Sequence, residues 1–310
     1  MGTMIKIIPS TMVLLLINTC SGTVNYLFSH GIADSRKQAL WYLESDDSRK
    51  PYILKHPLIS FNYPDAYDGL FKINRLQSSL AQDNEVAKLA QIYFASINQE
   101  EQAVLVGVSR GASALVNFEA LYGPENVAAL VLESPFDCVD NILIELINTT
   151  KLSWVPGIKK NGLGIMSFIF CKYKPNGMRP IDLCRRIKKD LPILIICSTQ
   201  DALVPVWSSI NLYLALRESG HDNAYILVLP RGNHAKLIND RLHGPLYQQV
   251  THAFYQKFDL PHDPHLASLG TPLLPHCQPC EKILSVFYPP HATVPENQAT
   301  KDYDAKKQKK

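Results

Sequence analysis

The segment covering residues 102–122, QAVLVGVSRGASALVNFEALY, does most to limit how this chain can fold. A buried-strand pattern, QAVLVGV, passes without a spacer into a helical one, ASALVNFEALY. Gly107-Val108-Ser109-Arg110-Gly111 spans the junction. A serine lodged there has to stand on a sharp, strained turn that lifts its Oγ above the sheet. The residues two before and two after it then come close together, so both must be tiny. Both are glycine.

The rest of the chain repeats the strand-then-helix order. Strands are expected at residues 23–29, 58–63, 102–108, 127–132, 191–197 and 224–229. Helices are expected at 36–44, 85–97, 111–122, 206–219 and 246–258. Most of these strands are continuously apolar rather than alternating, the mark of strands covered on both faces. The expected fold is therefore α/β, a mostly parallel sheet with helices on both faces. Residues 138–188 interrupt the alternation with two apolar, helical-looking stretches, DNILIELI and GLGIMSFIFCKYKP. They read either as a helical cap insertion between two strands or as a pair of extra packing helices.

Three segments follow from this reading. Residues 1–22 carry one lysine, the apolar run TMVLLLI and small residues at Thr19, Ser21 and Gly22. That is the outline of a signal peptide, the alternative being an extra edge strand. Cleavage would make the mature protein secreted or periplasmic; without it the chain is cytoplasmic. Residues 23–260 form the catalytic domain, with the cap at about 138–188. Residues 261–310 hold eight of the 21 prolines and four of the ten histidines. They are expected to be a Pro-rich, weakly structured extension, with one short ordered stretch at 281–288.

Composition removes several function classes. Lysine plus arginine number 31 against 28 acidic residues, and the last ten residues, KDYDAKKQKK, account for the excess. The body is neutral, which does not fit nucleic-acid binding. No apolar run reaches the roughly 18 residues of a membrane-spanning helix. No P-loop or dinucleotide fingerprint occurs. The seven cysteines are scattered; only Cys277 and Cys280, with His276 and His291 nearby, have motif spacing. A single C-x-x-C is a poor zinc signal, so a disulfide or two free thiols are expected there, and no metal or other cofactor.

The chemistry starts at Ser109. A serine hydroxyl is a poor nucleophile without a base, and the base is ordinarily a histidine held by a carboxylate. On such a sheet their chain order is serine, acid, histidine. Asp201 follows the strand LPILIICS and His234 follows the strand AYILVLP, so both sit in loops beyond carboxyl ends of strands. Asp137, after the strand VAALVL, is the competing acid; His221 and His243 fit poorly by position. An oxyanion hole needs two backbone N–H donors. Arg110, next after Ser109, supplies one, and Ile32, in the loop His30-Gly31-Ile32-Ala33 after the first strand, supplies the other. His30 is then a loop-orienting residue rather than a second base.

On these segments the chain resembles the alpha/beta-hydrolase superfamily. The loop FSHGIADS, the elbow GVSRG, the acid segment STQDALVP and the histidine segment PRGNHAKL carry the resemblance, within residues 23–258. The run LESPFDCVDN and the D-x-x-V-P loop resemble prolyl oligopeptidase-like serine hydrolases, without their propeller domain. About 80 residues separate Thr23 from the elbow strand, which implies that the first strands of the superfamily sheet are missing or shortened. The expected activity is that of a serine hydrolase cleaving an ester through an acyl-enzyme, on a small-molecule or peptide substrate. A serine peptidase or amidase is the alternative. A non-catalytic binding protein on a hydrolase fold is the second alternative.

Overall fold

The computed structural model describes residues 23–32, 34–42, 56–66, 78–142, 172–175 and 177–280. Six strands form one sheet: β1 (Val24–Ser29), β2 (Leu58–Ser60), β3 (Gln102–Val108), β4 (Val127–Glu133), β5 (Ile193–Ser198) and β6 (Ala224–Leu229). Their order is β2-β1-β3-β4-β5-β6, and every neighbouring pair is parallel. The carboxyl ends of β1, β3, β4, β5 and β6 therefore open onto one side of the sheet, where the loops carrying His30, Ser109, Asp201 and His234 lie. Among the described residues no strand pairs beyond β2.

The helices are α1 (Ala39–Tyr42), α2 (Asp83–Ser96), α3 (Arg110–Tyr122), α4 (Pro180–Leu183), α5 (Val206–Glu218), α6 (Gly244–Lys257) and α7 (Pro264–Gly270). Successive strand residues face opposite ways, so each apolar strand feeds two cores. Leu105, Leu130 and Ile195 join Leu89 of α2, Leu115 of α3 and Ile210 of α5 on one face. Val106, Val131 and Ile196 join Tyr42 of α1 and Phe254 of α6 on the other. This is why continuously apolar runs, rather than alternating ones, mark these strands.

Several boundaries differ from the sequence reading. The strand expected over 58–63 ends at Ser60, where Phe61 and Tyr63 turn into one core. The helix expected from residue 36 opens as a 3₁₀ turn, Arg36–Gln38, capped by Ser35. The two apolar stretches of the expected cap lie largely outside the described residues, as do residues 1–22 and the ordered stretch expected at 281–288.

The first part of the Pro-rich extension is built into the fold, where the composition pointed to weak structure. Asp263 caps α7 by accepting the amides of His265 and Leu266 at 2.8 and 3.0 Å, and Pro264 takes the first helical position. A proline there loses no helical hydrogen bond, since that N–H has no partner in the helix. α7 packs so tightly on α6 that a Cβ on Gly270 would lie 2.0 Å from the Gln249 carbonyl oxygen. Farther on, the Cys277 carbonyl accepts the Ile226 amide at 3.0 Å and so covers the outer edge of β6. Among the described residues no helix is long and apolar enough to cross a membrane.

Candidate active site

Ser109 stands between β3 and α3 at φ 54°, ψ −120°. A left-handed backbone at a residue with a Cβ is costly and persists only where the surroundings enforce it. Here the Ser109 amide donates to the Glu133 carbonyl at 2.7 Å, which ties the turn to the end of β4. The flanking glycines answer to close approach. A Cβ on Gly107 would come within 2.8 Å of the Ala112 backbone, and one on Gly111 within 2.0 Å of the Ser29 carbonyl oxygen. Ser134 and Ala235, at the ends of the neighbouring segments, also have positive φ, 46° and 58°. Backbone strain thus gathers around one point.

His234 reaches that point from the loop after β6. Its Nε2 is 2.8 Å from Ser109 Oγ, and its Nδ1 is 2.7 Å from Asp201 Oδ2. A carboxylate can only accept, so Nδ1 carries the proton and a neutral ring presents Nε2 to the serine hydroxyl. The Asp201 side chain is 1% exposed. Its Oδ1 accepts the amides of Leu203 and Val204, both at 2.9 Å, and its Oδ2 also accepts the Ser134 hydroxyl at 2.9 Å. Burial pushes this carboxyl up, but the His234 contact and the two amides outweigh it, and the net shift is below the ordinary carboxylate range.

Asp137 is engaged elsewhere. Its carboxylate accepts Ser208 Oγ at 2.6 Å, Asn211 at 2.9 Å and Asn141 at 3.1 Å, and burial holds its pKa above the ordinary value. The structure brings Asp201, and not Asp137, to His234. His221 is likewise used by the backbone: its ring lies 3.1 Å from the carbonyls of Leu216 and Ile187.

The loop after β1 lies against the elbow. A Cβ on Gly31 would sit 3.6 Å from Ser109 Cβ. His30 Nδ1 donates to the Gly31 carbonyl at 2.8 Å, and His30 Nε2 accepts the Tyr63 amide at 3.2 Å. Both bonds require a neutral ring protonated on Nδ1. Burial first, then the Arg110 charge, pushes this histidine down to about 3. Both ring nitrogens are thus engaged by backbone groups, those of Gly31 and Tyr63.

Some of the constellation has no local sequence signature. Glu133, buried at the end of β4, accepts the Tyr42 hydroxyl at 2.8 Å and the Leu237 amide at 3.2 Å. Since its carbonyl holds the Ser109 amide, one residue ties the elbow to the loop that carries His234. Burial pushes its carboxyl up to about 7. The only available hint was its position, next to the strand end that precedes Ser134. Asp65 and Glu85, which pair with Arg110, are 45 and 25 residues from it, and nothing in the spacing joins them.

Among the described residues no group of three or more histidine, cysteine or acidic side chains is placed to hold a metal. Cys277 and Cys280 are free thiols, and burial pushes Cys277 up to about 12. His291 lies outside the described residues.

No protein-family model matches the chain, and no curated protein matches it in sequence. Solved structures do. An esterase from Pyrococcus furiosus superposes with a TM-score of 0.54 at 14% identity, over 77% of this chain and 83% of that one. The acylaminoacyl peptidase of Pyrococcus horikoshii gives 0.51 at 15%, over 76% of this chain and 37% of that one. Together with the parallel sheet and its order, these likenesses define the class: the chain has the alpha/beta-hydrolase fold.

Proposed function

We propose that this protein is a serine hydrolase that cleaves an ester through an acyl-enzyme. One observation carries the reading: Ser109 Oγ, His234 and Asp201 form an unbroken hydrogen-bonded line, 2.8 and 2.7 Å per link. In the proposed reaction His234 Nε2 takes the Ser109 proton as Oγ attacks the acyl carbonyl. The ring then gives that proton to the leaving group, and a water activated by the same nitrogen releases the acid. Asp201 holds the ring in the Nδ1–H tautomer and stabilises the imidazolium. The amides of Arg110 and Ile32 are the proposed donors to the oxyanion. None of these steps calls on a metal or an organic cofactor.

An ester comes first because the 138–170 sequence is strongly apolar and would suit an apolar acyl chain. A peptide or amide bond is the second reading; the acylaminoacyl peptidase among the structural neighbours favours it. Export, with cleavage near Gly22, is part of the proposal, as is a catalytic domain that starts after residue 22. The test is labelling with a fluorophosphonate together with turnover of p-nitrophenyl acyl esters. Wild type should label once and turn over, and Ser109→Ala should do neither. Labelling that persists in Ser109→Ala refutes the assignment.

A further inference from the structure

Arg110 is the residue after the proposed nucleophile, where only its amide has a role so far. Its side chain is the most unusual one near the site: an arginine 2% exposed, turned into the protein. The guanidinium carbon lies 4.6 Å over the Tyr63 ring. Nη1 pairs with Asp65 and lies 3.5 Å from Glu85 Oε1. Glu85 is itself fixed by Ser78 Oγ at 3.0 Å and by the amide and hydroxyl of Ser79. Burying two carboxylates with a guanidinium costs desolvation that three apolar residues would avoid, so charge pairing alone is a weak reason for the cluster.

The other end of the guanidinium shows what the cluster holds. Nη2 donates to the Gly31 carbonyl at 3.1 Å, beside the His30 Nδ1 donor at 2.8 Å. On the opposite side of the residue, the Gly31 amide donates to Gln38 Oε1 at 2.9 Å. The peptide groups before and after Gly31 are thus both pinned, and a charge-assisted bond is among the stronger pins available. No cis peptide occurs among the described residues. In a trans peptide the C=O of one residue and the N–H of the next point in opposite directions. Fixing the Gly31 carbonyl toward the guanidinium therefore fixes the Ile32 N–H the other way, on a loop that lies against Ser109.

We propose that the Arg110 side chain is a positioning residue for the oxyanion site: by holding the Gly31 carbonyl it aims the Ile32 N–H at the acyl oxygen, with Asp65 and Glu85 keeping the guanidinium in place. One residue then offers one donor through its own amide and orients the second through its side chain. A rotation of the Gly31–Ile32 peptide would turn a carbonyl toward the developing negative charge, and the guanidinium opposes that rotation. The inference rests on the hydrolase reading.

The test compares an oxo-ester with its thionoester, whose larger sulfur is a poorer acceptor for donors placed for oxygen. Removing Arg110 alone would strand two buried carboxylates, so the main variant is the neutral triple Arg110→Met with Asp65→Asn and Glu85→Gln. Its fold is followed by cooperative melting. The triple variant should lose about 10- to 100-fold in kcat for the oxo-ester, below the loss expected for a missing donor, with KM within about threefold. The oxo/thiono rate ratio should fall by a similar factor, because the thionoester never gained from the donors. Arg110→Lys carries the same readout if the triple variant does not fold. Its compact ammonium pairs with Asp65 and leaves the Gly31 carbonyl, so the ratio should fall there too. Equal losses on both substrates, with the ratio unchanged, mean a purely structural role and overturn the inference while the hydrolase reading stands. A wild type inert to both esters and to fluorophosphonate overturns that reading first and this inference with it.

Discussion

Ser134 donates its hydroxyl at 2.9 Å to Asp201 Oδ2, the same oxygen that His234 Nδ1 meets at 2.7 Å. The serine sits at positive φ, one residue after the strand whose last carbonyl holds the Ser109 amide. It aligns the carboxylate and draws some of its charge away from the imidazole. Ser134→Ala should keep the fold and cost about 3- to 10-fold in kcat, the scale of about 1 kcal/mol for one of several hydrogen bonds to the same carboxylate. Steady-state kinetics on a p-nitrophenyl ester checks this, and an unaltered kcat would show that the two amides on Oδ1 suffice.

Replacing the acid itself should cost far more. Asp201→Asn removes the acceptor that sets the His234 tautomer, and losses of that kind reach about 10⁴-fold in turnover. Asp137→Asn acts on the bonds to Ser208, Asn211 and Asn141, away from His234. Its effect should appear as stability, about 1–3 kcal/mol for disturbed buried hydrogen bonds, with kcat nearly intact. The opposite ranking of the two variants would move the acid to the segment after β4.

Glu133 offers a cleaner separation of charge from geometry. Its carboxyl, pushed up to about 7, works chiefly as an acceptor for the Tyr42 hydroxyl and the Leu237 amide. Glu133→Gln keeps an acceptor of the same shape and should be tolerated near neutral pH. Glu133→Ala leaves both donors unpaired in a cavity, at about 2–4 kcal/mol, and frees the histidine loop. Thermal melts paired with kcat should therefore rank wild type and Gln together, well above Ala; a Gln variant as damaged as the Ala variant contradicts the argument.

The sheet was legible because its strands are short, apolar and punctuated, and because the elbow puts a polar residue where the pattern allows only one geometry. Ser109, Asp201 and His234 were readable as a set since each follows a strand in the parallel order. Arg110's partners were not: Asp65 and Glu85 come to it through tertiary packing over 45 and 25 residues. The start of the Pro-rich extension departs from the compositional expectation for a local reason. A high proline count points to weak structure, whereas Pro264 and Pro275 sit in the opening positions of a helix and a 3₁₀ turn, where proline is compatible.

That packing changes what truncation should do. Ending the chain after Leu260 removes α7 from α6 and uncovers the β6 edge that Cys277 protects. The shortened protein should melt lower and aggregate more readily, as exposed strand edges do. Within the full chain, Gly270→Val should destabilise by about 1–3 kcal/mol or more, since no space exists beside the Gln249 carbonyl. Melting of both proteins by circular dichroism decides it; a truncated chain as stable as the full one would assign α7 a passive place.

Glu119 makes a prediction about pH. It lies on α3, 2% exposed, and neither carboxyl oxygen has a hydrogen-bond partner among the described residues. Burial pushes it from 4.5 up to about 8, with Lys188 pulling down and Glu125 pushing up. In the folded protein it stays protonated where the unfolded chain has already ionised. The folded state therefore binds more protons between those values, and stability falls as pH rises through them. Glu133 adds to this slope only up to about 7. His30 and His252, pushed down to about 3 and about 4, have the opposite sign, but their effect lies below 6.5, where the unfolded chain takes up protons and stability falls on acidification. From pH 7 to 8 Glu119 remains the main contributor among these four, and the protein should lose about 1 kcal/mol there. Glu119→Gln, neutral in both states, should flatten that stretch and be the more stable protein at pH 8. Urea unfolding of wild type and variant at pH 6.5, 7 and 8 measures the difference. Parallel curves across that range would mean that Glu119 finds a partner in solution and ionises in place.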